Sequence, residues 1–190
     1  MSLAEAVVAA QSAFPWVTVQ TTAGSLPLPV VMVAIAGAES SWDPTAVGDY
    51  GLGGPTCPRY GSGTSFGLWQ IHNVHAAYIA QQAGSSDPCV WIPWLFNPAN
   101  NAAVAASVYR SQGFGAWTTY NNGAWQSRLP LALAAFGAEG ASPTTPPHGA
   151  TTSPIGGLVA AGPPSFIVWA LVGLAVLTWL DVGEKTVAVL

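Results

Sequence analysis

The sequence predicts a mainly α-helical domain followed by a single membrane-spanning helix. Three observations carry that expectation. Residues 28–40 are apolar on nearly every helical face, as a buried central helix requires. Asn97-Pro98 joins a capping residue to a first-turn proline, and Ala102, Ala106 and Tyr109 then mark one buried face of a helix ending at Gly113. Past residue 140 the composition turns to uncharged Gly, Ala, Ser, Thr and Pro, and an apolar segment without charge follows.

Taken in order, residues 2–13 read as a short amphipathic helix, with Leu3, Val7, Ala10 and Phe14 at helical spacing and Pro15 as its stop. A Thr- and Gly-containing loop leads to Ser25, and Pro27 and Pro29 open the central helix before its hydrogen-bond ladder begins. From Gly48 to Gly63 the chain is rich in Gly, Pro and Tyr without periodicity, which predicts an irregular lobe. Phe66-Gly67-Leu68-Trp69-Gln70-Ile71 interrupts it, and a helix of about 73–83 follows. Residues 84–96 are expected to form a loop that displays Trp91 and Trp94 around Pro93. After the helix capped by Asn97, a further one is expected from Pro130 to Ala138.

The apolar segment begins at Pro163-Pro164, and its stretch from 164 to 182 approaches the ~20 residues of a membrane span. Trp169 and Trp179 lie near its ends, where interfacial aromatics are favoured. Lys185 is the only basic residue near either end, which leaves the orientation open. The expected organisation is an N-terminal helix and loop (1–24), a domain (25–139), a linker (140–163), a membrane helix (164–182) and a tail (183–190).

Charged residues make up 6% of the chain, against roughly a quarter in an ordinary soluble domain. With 51% hydrophobic residues and nine tryptophans, a setting against a membrane or inside an assembly is expected. The net charge of −4, without a Lys/Arg cluster, excludes nucleic acid as the main partner. Cysteines and histidines are too few and wrongly spaced for a zinc site, so neither metal nor cofactor is expected. Cys57 and Cys89 fit a disulfide in an extracellular setting or two free thiols in a cytosolic one. The first residues do not read as a standard signal peptide, since Glu5 is present and no basic residue precedes Arg59. Delivery by a virus particle is the expected alternative route outward.

So little charge permits a census of the acids. Glu5, Glu139, Asp181 and Glu184 lie in the first helix, at the linker boundary or beyond the span, which leaves Glu39, Asp43, Asp49 and Asp87. Glu39 stands out, because an apolar helix delivers it to a Ser40-Ser41-Trp42-Asp43-Pro44 turn. A carboxyl held against apolar neighbours has its charged form destabilised, and its pKa rises toward the range of a general acid. Trp42, Trp69, Trp91, Trp94, Trp117 and Trp125 supply flat faces on which sugar rings stack, although such aromatics are more often core. Cleaving a glycosidic bond needs an acid to protonate the leaving oxygen, assisted by a second carboxylate or by the substrate itself.

Glu39-Ser40-Ser41-Trp42-Asp43-Pro44-Thr45-Ala46 resembles the E-S-x-[FW]-x-P-x-A segment of the lytic transglycosylase (goose-lysozyme-like) family. Gly67-Leu68-Trp69-Gln70-Ile71, Asn97-Pro98-Ala99-Asn100-Asn101 and Tyr120-Asn121-Asn122-Gly123 match three further family elements in order, over roughly residues 25–138. The resemblance implies a lysozyme-like, mainly helical fold acting on peptidoglycan glycan strands between N-acetylmuramic acid and N-acetylglucosamine. It implies Glu39 as general acid and then base, with Ser40 supporting that side chain or the substrate. Gly67, Leu68, Trp69, Gln70 and Ile71 would line the cleft floor, Gln70 bonding near the scissile sugar. Tyr120 would sit close to Glu39 and help set its protonation, with Asn121 a further cleft residue. The segment 133–140 is a second, fainter match to that last element, and there Phe136 would stand in place of the tyrosine.

In a transglycosylase the muramoyl 6-hydroxyl closes a 1,6-anhydro ring and no second catalytic carboxylate is needed. In a hydrolase an Asp assists water, and Asp49 in the Gly-rich loop is the candidate; Asp43 is expected to cap the turn. His72 and His75 are read first as solvated or capping residues, second as cleft groups. A wall-binding protein without chemistry, and a holin-like or virion-membrane component working through its span, are the non-enzymatic alternatives. The combined expectation is an enzyme anchored in lipid through 164–182, in a virion membrane with other virion proteins or in the host envelope.

Overall fold

The computed structural model describes residues 3–140, and within them the chain is mainly helical around a buried central helix. The expected linker from 141 on, the span at 164–182 and the tail at 183–190 lie outside the described residues. Among the described residues no helix is long and apolar enough to cross a membrane.

The central helix, α2, spans Leu28–Ser40, and every residue from Leu28 to Gly37 is buried. It starts as the prolines predict, with Pro27 extended at the cap and Pro29 in the first turn, where a missing N–H leaves no bond unmade. Two helices pack against it, α1 (Leu3–Ala13) and α7 (Leu129–Gly140), and α5 (Pro98–Gln112) packs on α1. Ala6, Val7 and Ala10 bury the inner face of α1 in the same core, so residues 3–24 share that core with the domain that follows. Asn97 caps α5 through Oδ1, which accepts the N–H groups of Ala99 at 2.9 Å and Asn100 at 3.3 Å.

Three stretches differ from expectation. The loop before α2 is a hairpin, β1 (Thr18–Thr21) against β2 (Gly24–Pro27), with Thr21 opposite Gly24 across a two-residue turn. The irregular lobe contains a three-stranded antiparallel sheet, β3 (Val47–Gly48), β4 (Ser65–Phe66) and β5 (Ile71–His72), in that spatial order. Strands of two residues are too short for alternation to be visible in sequence. The expected loop at 84–96 holds a helix, α4 (Pro88–Leu95). Asp87 caps it by accepting the Cys89 N–H at 2.8 Å, and Pro88 occupies its first turn. Trp91 is therefore buried rather than displayed. The expected helix over 73–83 divides into a 3-10 turn, Asn73–His75, and α3, Ala76–Ala83.

Cys57, in the lobe, and Cys89, at the start of α4, form a disulfide, their Cα atoms 5.0 Å apart. The tryptophans expected as glycan platforms are mostly core: Trp42, Trp69, Trp91, Trp117 and Trp125 are buried, and Trp94 is half-buried. Two of them bond directly to α2, Trp69 Nε1 donating to the Met32 carbonyl at 2.8 Å and Trp42 Nε1 to that of Val33 at 2.9 Å. An indole N–H taken from water needs such a partner, and helix carbonyls with a spare lone pair provide it.

Candidate active site

The end of α2 is shaped by a helix that turns back on itself. Ser41 and Trp42 both adopt the left-handed region, with φ of 55° and 59°. Two such non-glycine residues cost on the order of 1–3 kcal/mol each and persist only where their surroundings hold them. The Trp42 indole supplies that hold by folding onto the last turn of its own helix. Gly37 makes the space, since a Cβ there would lie 2.4 Å from the ring. Arg128, 5.6 Å away over the other side chain's ring, closes the arrangement. Asp43 stays within the turn, as expected, accepting both the N–H and the hydroxyl of Thr45 at 2.8 Å.

Glu39 is half-buried at this turn. Thr119, on the one-turn helix α6 (Thr118–Asn121), donates its hydroxyl to Glu39 Oε1 at 2.6 Å, and its backbone N–H also bonds the carboxylate. Burial pushes the Glu39 carboxyl above its ordinary range, the two Thr119 bonds pull it down, and the charge of Asp49 adds a smaller upward push. Burial prevails. The group is thus both oriented and inclined to hold its proton, the two requirements for a general acid.

Asp49 faces this site from the sheet. It lies just after β3 with a left-handed φ of 54°, and its carboxylate accepts the hydroxyl of the buried Ser65. Thr64 fixes the same bend by donating its hydroxyl to the Asp49 carbonyl at 2.8 Å. Glu39 and Asp49 are brought within electrostatic reach, with Asp49 the more exposed.

The other residues expected in the cleft take different roles. Gly67, Leu68, Trp69 and Ile71 are buried, so the side chains of the last three pack the core instead of lining a groove floor. Gly67 is required because Asn101 presses against it: a Cβ would meet Asn101 Nδ2 at 2.3 Å. Gln70 Nε2 donates to the carbonyls of Gly67 at 2.9 Å and Ala46 at 3.2 Å, which ties the 67–70 turn to the start of β3. Ser40 supports main chain, not the Glu39 carboxyl, since its hydroxyl lies between the carbonyls of Ala36 at 3.0 Å and Leu68 at 2.9 Å. Tyr120 does not bond Glu39; its ring stacks between Phe114 and Trp125, centroids 4.4 and 5.3 Å away, and burial raises its phenol pKa. Asn121 donates to the Gly115 carbonyl at 3.0 Å. Phe136, in the alternative segment, packs edge-on against Trp16, 5.5 Å between centroids.

Two residues of this region carried no expectation of a site role. Thr119 lies eighty positions from Glu39 and has no local signature. Asn101 is fully buried on α5 and clamps the 66–69 turn, accepting the Trp69 N–H at 2.9 Å and donating to the carbonyls of Phe66 and Leu95 at 2.9 and 3.1 Å. The final Asn of the Asn97-Pro98-x-x-Asn101 pattern was the available signal, because helix-start Asn is explained by position 97 alone.

A family model described as a lysozyme-like domain matches residues 17–119, just over half of the chain. The matched stretch contains the hairpin, α2, the sheet lobe and Thr119. No curated protein and no solved structure matches the chain. An acid at the end of a buried helix, facing a small antiparallel sheet, sits inside that match, and the chain belongs to the lysozyme-like domain family.

Proposed function

We propose that this protein cleaves peptidoglycan glycan strands at the β-1,4 bond between N-acetylmuramic acid and N-acetylglucosamine, with release of a 1,6-anhydro end. The observation that carries the reading is Glu39, half-buried, held by Thr119 and raised in pKa, within a lysozyme-like domain. Glu39 donates its proton to the glycosidic oxygen as the C–O bond breaks. The carboxylate then takes the proton of the muramoyl 6-hydroxyl while that oxygen bonds to the anomeric carbon, so Glu39 ends as it began. Exposure of Asp49 and its commitment to Ser65 favour a single acid/base over a pair.

Hydrolysis is the second reading, favoured by the electrostatic reach of Asp49 to Glu39. There Asp49 would position water or stabilise the oxocarbenium-like transition state. A zymogram of wild type beside Glu39→Gln tests the chemistry; clearing by wild type and a loss of about 10²–10⁴-fold in the variant are expected for a general acid. Equal clearing by both would sink the enzymatic reading and leave wall binding. Mass spectrometry of the digest separates the two reactions, because the anhydro product is one water lighter. Asp49→Asn should leave anhydro formation largely intact and abolish hydrolysis.

The apolar segment 164–182 supports anchoring in a bilayer, and the Cys57–Cys89 bond suits an oxidising exterior. We place the enzyme in a bacteriophage particle, acting locally on the wall during genome entry. Its absence from purified particles would overturn that placement.

A further inference from the structure

From Leu129 to Gly137, α7 carries no polar or charged side chain, yet only one side of it is covered. At 3.6 residues per turn, Pro130, Leu131, Leu133, Ala134 and Gly137 fall within one arc of about 160°. All of them are exposed, Leu131 by 49% and Leu133 by 43%, whereas Ala132 on the opposite side is fully buried. Trp16, 59% exposed, extends the arc, because its ring meets Phe136 edge-on and Phe136 is the i+3 neighbour of Leu133. A surface helix ordinarily turns polar residues to water. A contiguous apolar face of this kind marks a contact.

What covers it follows from charge, size and chain order. The arc offers no charge with which to select an ionic partner. Its residues fall far short of the roughly 20–30 a side of a stable protein interface. α7 is also the helix from which the chain runs, through residues 141–163, to the apolar segment 164–182. A fluid lipid surface demands no complementary shape, and an indole ring with one polar edge is favoured at its boundary.

The face is also well placed. α7 packs on α2, and Arg128, just before it, reaches Trp42 beyond the Glu39 end of that helix. At the other end Phe136 meets Trp16, whose neighbour Val17 accepts the N–H of Leu28, the first residue of α2, at 2.8 Å. The two helices therefore run antiparallel, and Trp16 with Phe136 marks the end of α2 remote from Glu39. The 13 residues of α2 set those ends roughly 20 Å apart. We propose that the outer face of α7, together with Trp16, lies on the surface of a lipid bilayer and so holds Glu39 clear of the lipid. This rests on the anchoring reading above, since so small a face binds weakly alone and gains from the high effective concentration of a tethered contact.

The test uses the full chain in vesicles of phosphatidylcholine and phosphatidylglycerol, with a nitroxide label on Leu133→Cys. Leu52→Cys, at an exposed position of the lobe, is the control. Cys57 and Cys89 are bonded to each other, so the added thiol is the one that reacts. Collisions of the label with oxygen, which partitions into lipid, should exceed those with a water-soluble nickel complex at 133, and the reverse should hold at 52. Adding Trp16→Gln and Leu131→Gln should return the 133 label to water with a single melting transition retained. A label at 133 that meets water, in a chain that stays with the vesicles through an alkaline wash, overturns this inference alone. Shielding from both reagents, with spin–spin broadening between labels, also overturns it and assigns the face to a second copy. A chain released by the wash, its 133 label having been in lipid before, sinks the anchoring reading alone. One that never binds vesicles sinks both.

Discussion

From residue 28 to 37 the chain hides every side chain and lets the helix satisfy its own backbone. From 47 to 72 it does the opposite: strands of two residues, left-handed bends at Asp49 and Gln70, and backbone carbonyls held by side chains. Thr64, Gln70, Asn73 and Asn101 each bond main chain somewhere in this lobe. The two regions meet around Glu39, and each contributes differently. The helical side raises the carboxyl's pKa by burial, while the lobe brings the Asp49 charge near it. Apolar packing is tolerant of exchange at equal volume, but a clamp made of single hydrogen bonds is not. The lobe is therefore where small changes should alter chemistry, and α2 is where they should alter stability.

The sharpest break of that contrast comes from removing one anchor on each side. Ile35→Ala, at a fully buried position of α2, should cost about 2–5 kcal/mol and lower one cooperative melting transition for the whole domain. Replacing Cys57 and Cys89 by serine removes a bond between positions 32 apart and should cost about 4 kcal/mol. Hydrogen exchange should then rise first in the lobe, with α2 still protected. Uniform loss of protection in both variants would show that the two regions are one unit energetically.

Thr119→Val is a smaller, chemical perturbation. It removes a bond that favours the ionised carboxylate, so the Glu39 pKa should climb further and the alkaline limb of the pH–rate profile should move to higher pH. The maximal rate should fall roughly tenfold, since one bond to a charged acceptor is worth about 1.5 kcal/mol. A profile that stays in place would remove Thr119 from the site.

The smallest effect concerns stability. The folded-state pKa of Glu39 lies above its unfolded value, so the folded protein binds that proton more tightly. Stability from this group is full below the unfolded pKa of about 4.3 and is lost as pH rises through the folded pKa. Glu39→Gln should therefore melt slightly higher than wild type at neutral pH and match it in acid. The same melting temperature difference at every pH would contradict the burial of the carboxyl.

Much of the helical half was legible because helix signals are local. The apolar run and the two prolines mark α2, and Asn97-Pro98 marks α5. Asp87-Pro88 carries the same signal for α4, yet Pro93 and the tryptophans gave that stretch the look of a loop. The sheet lobe was illegible as sheet, because each strand is two residues long and exists only through its partners, Val47 opposite Phe66 and Ser65 opposite His72. Glu39 was singled out by the scarcity of acids, but Thr119 was hidden, since nothing about a Thr-Thr pair announces a neighbour eighty positions upstream. The glycine and asparagine of the 67–101 contact were each visible, and only their pairing was not.

The indole links of the core have one more implication. Trp42 to Val33, Trp69 to Met32 and Trp117 to Trp69 are bonds between uncharged groups, out of reach of solvent. Mobile ions screen charges but have little purchase on such bonds. The frame that carries Glu39 should accordingly keep its shape from dilute media to brine, and a catalyst mounted on it can meet the wall of a cell in waters of very different salinity.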